Sequence, residues 1–289
     1  MGSKISLRAI WYTARSEFLR WITNPRIIIV GILIVCIYTL AVEPLLERVE
    51  RFGEPLNMLE PFIAVGNSGI LVMLMPCVFI ILISDFPVIN PGTLPFIIRA
   101  GKHNWFFGQM LFMIICIIVF ILIIFVSCAL MSQGTFSSHW SDTVTKFNAE
   151  FPDEMHHYAS ELLPSNLYNQ VHIFTALFTT ILMMVLYFIF LALILCIAKM
   201  LYLHSAGIFS VFSIISLGVM TTALRSPLMW IFPMANTIVW LHYHEILRQP
   251  VRLISTSILY FAVLITVSTV INLIILKRLQ FTNIEYGSV

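Results

Sequence analysis

Residues 106–131 read FFGQMLFMIICIIVFILIIFVSCALM, a stretch without a single charged side chain. About 20 consecutive apolar residues are enough to carry a helix across the roughly 30 Å hydrocarbon core of a bilayer. The stretch lacks the ten-residue apolar and polar alternation that is typical of an outer-membrane barrel. It therefore predicts a membrane-spanning α-helix.

Five further apolar runs have a comparable length, at about 26–43, 62–84, 172–198, 205–224 and 253–276. The chain is 60% hydrophobic and only 10% charged, whereas about a quarter of the residues in a soluble domain are charged. We expect an all-α membrane protein with six transmembrane helices in a single transmembrane domain, residues 1–289. Pro76 interrupts the second run and predicts a kink there. The first run lacks a convincing cleavage site and is expected to be retained as a span.

Three segments outside these runs have a pattern of their own. Residues 5–22, ISLRAIWYTARSEFLRWI, mix apolar and basic side chains and predict an amphipathic helix in the headgroup plane. Residues 132–170 are acidic and aromatic, which predicts an outer loop that is at most a small domain. Residues 225–250 are apolar but broken by prolines, which is typical of a re-entrant or interfacial hairpin. After the first span we expect an acidic loop that carries Glu43, Glu47, Glu50, Glu54 and Glu60.

The distribution of charge predicts the orientation. With the N-terminus inside, eleven of the fourteen carboxylates fall outside, all but Glu17, Asp85 and Glu285. Cytoplasmic loops of membrane proteins carry an excess of Lys and Arg. We therefore expect a multi-pass protein of the cell (plasma) membrane with both termini in the cytoplasm, of bacterial type. Ten of the sixteen basic residues fall inside: Lys4, Arg8, Arg15, Arg20, Arg26, Arg99, Lys102, Lys199, Lys277 and Arg278.

Motifs for catalysis or metal binding are missing from the sequence. His242-Tyr243-His244-Glu245 invites a zinc interpretation, but the metalloprotease helix requires a further histidine where Arg248 stands. The spans carry almost no ionisable residue, although intramembrane enzymes and ion-coupled carriers usually need one. The five cysteines show no CxxC spacing and are interpreted as packing residues. We expect no catalytic residue, no cofactor, no metal and no nucleic-acid partner, the last because the formal charge is only +2.

The loop between the second and third runs reads Gly92-Thr93-Leu94-Pro95-Phe96-Ile97-Ile98-Arg99-Ala100-Gly101-Lys102. Gly101-Lys102 is preceded by phenylalanine where a phosphate-binding loop requires its first glycine, so ATP binding by that route is excluded. The loop instead predicts a short cytoplasmic helix with an apolar face and a basic end. Such a helix either docks into a cleft of a soluble partner or only anchors the loop at the membrane surface.

With these elements in this order, the chain resembles the membrane (permease) subunits of type-2 ATP-binding-cassette (ABC) exporters. Members typically have an amphipathic elbow helix, six spans, a coupling helix between spans two and three, and a re-entrant pair between spans five and six. Gly92-Thr93-Leu94, then Arg99, then Trp105-Phe106-Phe107-Gly108-Gln109 are similar to the family's acidic residue, G-T-L, basic turn and closing G-K. Asp85 lies further upstream than the usual glutamate, and Gln109 replaces the closing lysine.

The resemblance implies two copies of a separate ATPase subunit, which would hold ATP and Mg²⁺, and a second membrane subunit that is either identical or homologous. It implies outward movement of an amphipathic or hydrophobic cargo such as an antimicrobial peptide (bacteriocin), a drug or a lipid. The alternatives are a non-transporting immunity or sensor protein and an ion-coupled secondary carrier. The implied ATPase-coupling residues are Gly92, Thr93, Leu94, Phe96, Ile97, Arg99 and Lys102, the elbow contacts are Arg15, Glu17 and Arg20, and the outer gate is Trp230, Phe232, Pro233 and Trp240.

Overall fold

The computed structural model of the protein describes residues 5–89, 94–152 and 158–278. Within these ranges the chain forms helices, and its only β-type pairings are two isolated bridges. In chain order the α-helices are α1 (Leu7–Ile22), α2 (Pro25–Phe52), α3 (Glu60–Asn67), α4 (Gly69–Leu82), α5 (Leu94–Ala100), α6 (Lys102–Met131), α7 (Asp142–Thr145), α8 (Phe147–Glu150), α9 (Tyr158–Leu162), α10 (Ser165–Tyr168), α11 (Ile173–Met200), α12 (His204–Ala223), α13 (Pro233–Thr237) and α14 (Ile254–Arg278).

Five of these helices are long and apolar enough to cross a membrane: α2, α6, α11, α12 and α14. The pair formed by α3 and α4 makes a sixth crossing if it is counted as one bent span. Helix α11 contacts α3, α4, α6, α12 and α14, and α2 packs against α4. An all-helical fold compatible with a multi-pass membrane protein is therefore confirmed.

Helix α2 is longer than expected. The prediction of an acidic loop directly after the first span is therefore wrong, because its first residues are helical. The helix continues to Phe52 and passes through one wide π-helical turn at Tyr38–Val42. Pro44 lacks the N–H that an ordinary turn would use, and its ring crowds the preceding turn, so the helix widens just before it. Gly53 ends the helix with a φ of +83°, a left-handed conformation that glycine adopts without strain.

The second span is not the continuous helix expected at 62–84. Helices α3 and α4 meet at an angle of 82°. The break lies at Ser68, which is extended (φ −75°, ψ 125°), and Pro76, the expected kink, lies inside the helix α4. The 82° bend therefore lies at Ser68, eight residues before the kink expected at Pro76.

Helix α1 packs closely against the first turns of α6. Ser6 caps α1 by accepting a hydrogen bond from the amide of Ala9. The close approach depends on Gly108 of α6, because a Cβ atom at that position would lie 2.5 Å from Thr13 Cβ and 3.0 Å from the Ile10 carbonyl oxygen. Glycine here lets the two backbones come together.

The helices define two opposite ends of the molecule. At the first, which we name the α1 end, the Arg26 guanidinium pairs with the Asp85 carboxylate at 2.8 Å, and Asp85 lies close enough to Lys199 and His204 to interact with them electrostatically. At the second, which we name the hairpin end, the described part of residues 132–170 lies next to the hairpin segment, residues 225–250. Gln170 Nε2 donates to the His244 carbonyl there at 2.8 Å.

The described residues of the segment 132–170 are held to the rest of the hairpin end in part through Glu60, the buried first residue of α3. Its carboxylate accepts from the Asn57 amide at 2.9 Å, the Ser141 amide at 2.6 Å and the Ser141 hydroxyl at 2.8 Å. Buried Arg48 of α2 donates to the Ser160 hydroxyl and lies 4.7 Å above the Phe147 ring. The described part of this segment is therefore held to α2 and α3 by buried polar contacts.

Candidate functional site

A buried polar junction forms where the second span breaks. Because Ser68 leaves the helical conformation, the carbonyl of Asn67 is free to accept from the Trp240 indole N–H at 2.9 Å. The Asn67 side chain accepts from the Val239 amide at 2.8 Å and donates to the Thr180 hydroxyl at 3.1 Å. The break thus supplies the groups that hold the hairpin segment against α3 and α11.

A second set of buried contacts ties the hairpin segment to α14. The Asn236 amide group donates to the carbonyls of Trp230 and Phe232, both at 3.0 Å, which closes the hairpin on itself. Ser257 of α14 lies 2.8 Å from Asn236 Oδ1, oxygen to oxygen. Tyr260 of α14 also donates from its hydroxyl to the Ile231 carbonyl at 2.6 Å.

His242 completes this junction from the other side of Ser257. Its Nδ1 lies 3.0 Å from the Ile238 carbonyl and its Nε2 lies 2.9 Å from the Ser257 hydroxyl. Burial lowers the pKa of His242, and Arg252 lowers it further, against the opposing effect of the carbonyls of Ile238 and Val239. A neutral imidazole donates from Nδ1 to Ile238, and the single Ser257 proton is then shared between Nε2 and Asn236 Oδ1.

The expected outer-gate residues all lie in the hairpin segment. Pro233 is buried and begins α13, and Trp240 begins a short 3-10 helix, while Trp230 and Phe232 are partly exposed. The Arg252 guanidinium lies 4.9 Å above the Trp230 ring. Asn166 adds bonds to the carbonyls of Trp240 and Tyr243, both at 3.0 Å. The structure brings these residues together, and the hairpin segment is bonded to α3, α10 and α14.

At the α1 end, α1 and α5 converge on the start of α6. The Asn104 side chain of α6 accepts from the Ser6 amide at 2.9 Å and donates to the Ala100 carbonyl at 2.8 Å. One side chain therefore caps the connection to α5 and holds the beginning of α1.

The expected ATPase-coupling residues fall in and around α5. Gly92 and Thr93 lie outside the described residues, and of Leu94 and Phe96 only the helical backbone is described. Ile97 is 1% exposed and packs inward, whereas Ile98 is 75% exposed. Arg99 is exposed and Lys102 is partly exposed. Among the described side chains of α5, Ile98 and Arg99 are exposed and Ile97 is not.

The three expected elbow residues do not share one environment. Arg15 and Arg20 are exposed. Glu17 is only 9% exposed and lies on the face of α1 that packs against α6. Burial raises the pKa of Glu17, against the opposing effect of the Arg20 guanidinium. Only the two arginines are accessible to a partner.

The described residues contain no group of three or more His, Cys, Asp or Glu side chains that could hold a metal ion. Over the same residues the five cysteines are free thiols, buried or half-buried among apolar side chains. At the hairpin end the polar side chains hold helices together by hydrogen bonds, and at the α1 end arginine side chains are exposed to a possible binding partner.

Comparison with known proteins finds no match for this chain among family models, curated proteins or solved structures.

Sequence reasoning did not find the junction residues Asn67, Asn236, His242 and Ser257 as a set. A signal was present, because asparagine and serine side chains in apolar runs need buried partners. Asn67-Ser68-Gly69 also places three poor helix formers together within the second run. The sequence did not show which side chains contact one another, because Asn67 and Trp240 lie 173 positions apart.

Proposed function

We propose that this chain is the membrane (permease) subunit of a type-2 ABC exporter, which moves an amphipathic or hydrophobic cargo outward and is driven by a separate ATPase subunit. It would work in the cell membrane with both termini in the cytoplasm, paired with a second membrane subunit and two ATPase copies. The chain would not itself be an enzyme.

The observation that carries this proposal is the convergence of α1 and α5 on the start of α6. The Asn104 bonds link all three elements, and α6 runs without interruption for 30 residues. A force applied to the exposed Ile98 and Arg99 would be passed to a rigid helix that crosses the whole molecule. An ATPase that closes on ATP could use this connection to shift the spans as rigid bodies.

The neighbourhood of the first, second and fifth spans supports an apolar cargo path. Helices α2 and α12 both pack against α4, and the described part of α4 has no charged residue. Large apolar side chains on the outward faces of α2 and α12 are exposed, including Ile32, Val35, Phe209 and Leu217. In the assembled transporter these faces would meet lipid, cargo or the second membrane subunit.

The hairpin segment fits the proposed outer gate only as part of a larger unit. It is bonded to α3 through Asn67 and to α14 through Ser257 and Tyr260. Opening by the hairpin alone would break several buried hydrogen bonds, each worth about 1 kcal/mol net. We therefore expect the hairpin to move together with α3 and the first turns of α14.

A secondary carrier is the second candidate, because the bend at Ser68 gives the discontinuous helix that carriers use near their ion sites. In a carrier the freed backbone groups bind the ion or substrate. Here the Asn67 carbonyl accepts from Trp240 and its side chain from Val239, so both are already occupied. This occupancy favours the exporter.

Co-expression of the chain with the ATPase encoded beside it tests the proposal. The complex is purified in nanodiscs, and complex formation and ATP hydrolysis are compared for wild type, Ile98→Asp and Arg99→Glu. Both variants alter exposed side chains, so the fold is expected to survive. We expect both to weaken the complex or to uncouple hydrolysis from the membrane subunit.

The matched control is Arg248→Glu, an equal charge reversal at an exposed residue of the hairpin end. It should leave both readouts unchanged. If wild type binds no ATPase, the exporter proposal fails, and the carrier or a non-transporting immunity or sensor protein takes its place.

A further inference from the structure

The connection between the hairpin and α14 exposes a group of apolar side chains. We name this connection, residues 244–253, the tip. It contrasts with residues 233–239 of the hairpin, which are buried. Four large apolar side chains of the tip are exposed by 57% to 85%: Ile246, Leu247, Val251 and Leu253. Apolar side chains grouped in this way on a surface mark a contact with another molecule or with a membrane.

Hydrogen bonds fold the tip into a closed turn. The His244 amide donates to the Gln249 carbonyl at 3.1 Å. The Nδ1 atom of His244 accepts from the amides of Ile246 and Leu247, at 3.1 Å and 3.2 Å. The backbone N–H groups of the two most prominent apolar residues are therefore satisfied within the turn, which lowers the cost of moving it out of bulk water.

The apolar surface of the tip continues along α14. Leu253 directly precedes this helix, which is long and apolar enough to cross a membrane. Leu259, Val263 and Val267 of α14 are more than half exposed, and a helix face of this composition suits lipid tails. Since Val251 and Leu253 extend the same surface beyond the start of the span, the tip lies at the boundary between hydrocarbon and headgroups.

Charge at the tip suits lipid phosphates. The Arg252 guanidinium lies 4.9 Å above the Trp230 ring, and its Nε donates to the Thr256 hydroxyl at 3.1 Å. Among the described residues no carboxylate pairs with Arg252, whereas Arg225 pairs with Glu245 at 3.2 Å. Tryptophan is enriched at the membrane–water interface, and basic side chains beside apolar ones attract anionic headgroups. Arg252 therefore places a positive charge that no carboxylate balances beside the exposed apolar side chains.

We propose that the tip lies in the headgroup layer of the bilayer at the hairpin end, with Ile246 and Leu247 against acyl chains and the Arg252 guanidinium at lipid phosphates. A second copy of the chain could also cover apolar side chains, but continuity with the exposed face of α14 favours lipid. A free phosphate would pair with Arg252 and leave the apolar residues uncovered. The contact does not depend on export, so the chain alone should make it.

Photo-crosslinking of the purified chain without any ATPase tests the proposal. A benzophenone amino acid replaces Ile246, and the chain is placed in nanodiscs that contain equal amounts of phosphatidylglycerol and phosphatidylcholine. Val267, exposed in the middle of α14, is the positive control, and Glu150, exposed on α8, is the negative control. We expect mass spectrometry to find lipid adducts at positions 246 and 267 and not at position 150.

The headgroups in these adducts test the assigned charge. One arginine near an anionic membrane surface should raise the local concentration of anionic lipid about fivefold. The adduct at position 246 should therefore favour phosphatidylglycerol over phosphatidylcholine about fivefold, and Arg252→Gln should lower this preference. Thr256→Val is the matched control, because it removes the bond to Arg252 Nε and keeps the charge. It should keep the wild-type preference.

Three results would overturn the proposal. Absence of a lipid adduct at position 246 while position 267 is labelled would show that the tip does not reach the bilayer. A crosslink from position 246 to a second copy of the chain in place of lipid would assign the surface to a protein interface. An unchanged preference for phosphatidylglycerol in Arg252→Gln, in a variant that thermal unfolding shows to be folded, would contradict the contact between Arg252 and lipid phosphates.

Discussion

Replacing Asn67 by alanine should loosen the hairpin segment from α3 and leave only the bond from the Trp240 indole to the backbone carbonyl of residue 67. The Asn67 side chain donates to the Ile63 carbonyl at 2.8 Å and to the Thr180 hydroxyl at 3.1 Å, and it accepts from the Val239 amide at 2.8 Å. All of these groups are buried. Asn67→Ala removes three hydrogen bonds and strands the Val239 N–H away from water.

Of the three lost bonds only the one from the Val239 amide joins the hairpin segment to α3, while the other two lie within α3 and between α3 and α11. The expected cost to the hairpin attachment is therefore about 1 kcal/mol. Every 1.4 kcal/mol is a factor of ten, so local opening of the hairpin should become about fivefold more frequent. Hydrogen–deuterium exchange measured by mass spectrometry on peptides from residues 233–243 reads this directly. Amides in the middle of α11 should keep wild-type exchange.

Asn169→Ala is the control for this substitution, because Asn169 is an exposed asparagine whose loss should not change exchange in the hairpin. Unchanged exchange at residues 233–243 in Asn67→Ala would refute the assigned junction. Uniformly faster exchange in all spans would show general destabilisation in place of a local attachment.

Three further perturbations follow from the structure. Gly108→Ala should loosen α1 from α6 and speed hydrogen exchange in α1, because the added Cβ would clash with Thr13. The control Gly31→Ala should be neutral, since nothing lies within 4 Å of its Cβ. Equal effects of the two substitutions would contradict the close packing of α1 on α6. Glu60→Gln replaces one accepting oxygen by an amide donor, which must face either the Ser141 amide or the Asn57 amide and the Ser141 hydroxyl. The change should lower the free energy of unfolding by about 2 kcal/mol, and an unaltered thermal transition would contradict the assigned bonds. Burial raises the pKa of Glu17 above its ordinary value of 4.5. Its contribution to folding stability is therefore complete below pH 4.5 and is lost as the pH rises through the folded-state pKa. Glu17→Gln should remove that loss, and a stability-versus-pH profile identical to that of wild type would contradict the raised pKa.

The long apolar helices could be predicted from sequence because the bilayer thickness sets their length. Helix α6 contains the apolar run from which it was predicted, and α11 and α14 each begin one residue after the predicted start of theirs. The end of α2 could not be found this way, since its last turns are amphipathic: Leu45 and Arg48 are buried against the rest of the protein while Glu47 and Glu50 are exposed. Acidic composition suggested a loop where tertiary packing supports a helix.

The break in the second span shows a different limit. Proline is the usual signal for a kink, yet Pro76 lies in α4, and the bend occurs at Ser68. An extended residue within a span needs partners for its freed backbone groups. These come from Val239 and Trp240, far along the chain, so the location of the bend depends on contacts that local sequence does not contain.

The candidate sites could be predicted only in part, because local sequence shows where a helix forms but not which of its faces is buried. The basic residues of α1 and the short helix α5 follow from local pattern. The direction in which Glu17 points does not, because α1 turns Thr13, Ala14, Glu17 and Trp21 toward the protein and leaves other apolar residues exposed. Tertiary packing decided which face of this amphipathic helix was buried.

The most direct test of the exporter proposal is site-specific photo-crosslinking in intact cells. A benzophenone amino acid is placed at Ile98 of α5 or, as the control, at Arg248 of the hairpin end, and the crosslinked protein is identified by mass spectrometry and tested for ATP binding. The account predicts a crosslink from position 98, and not from 248, to a nucleotide-binding ATPase. A crosslink from both positions, or no ATPase at position 98, would contradict it.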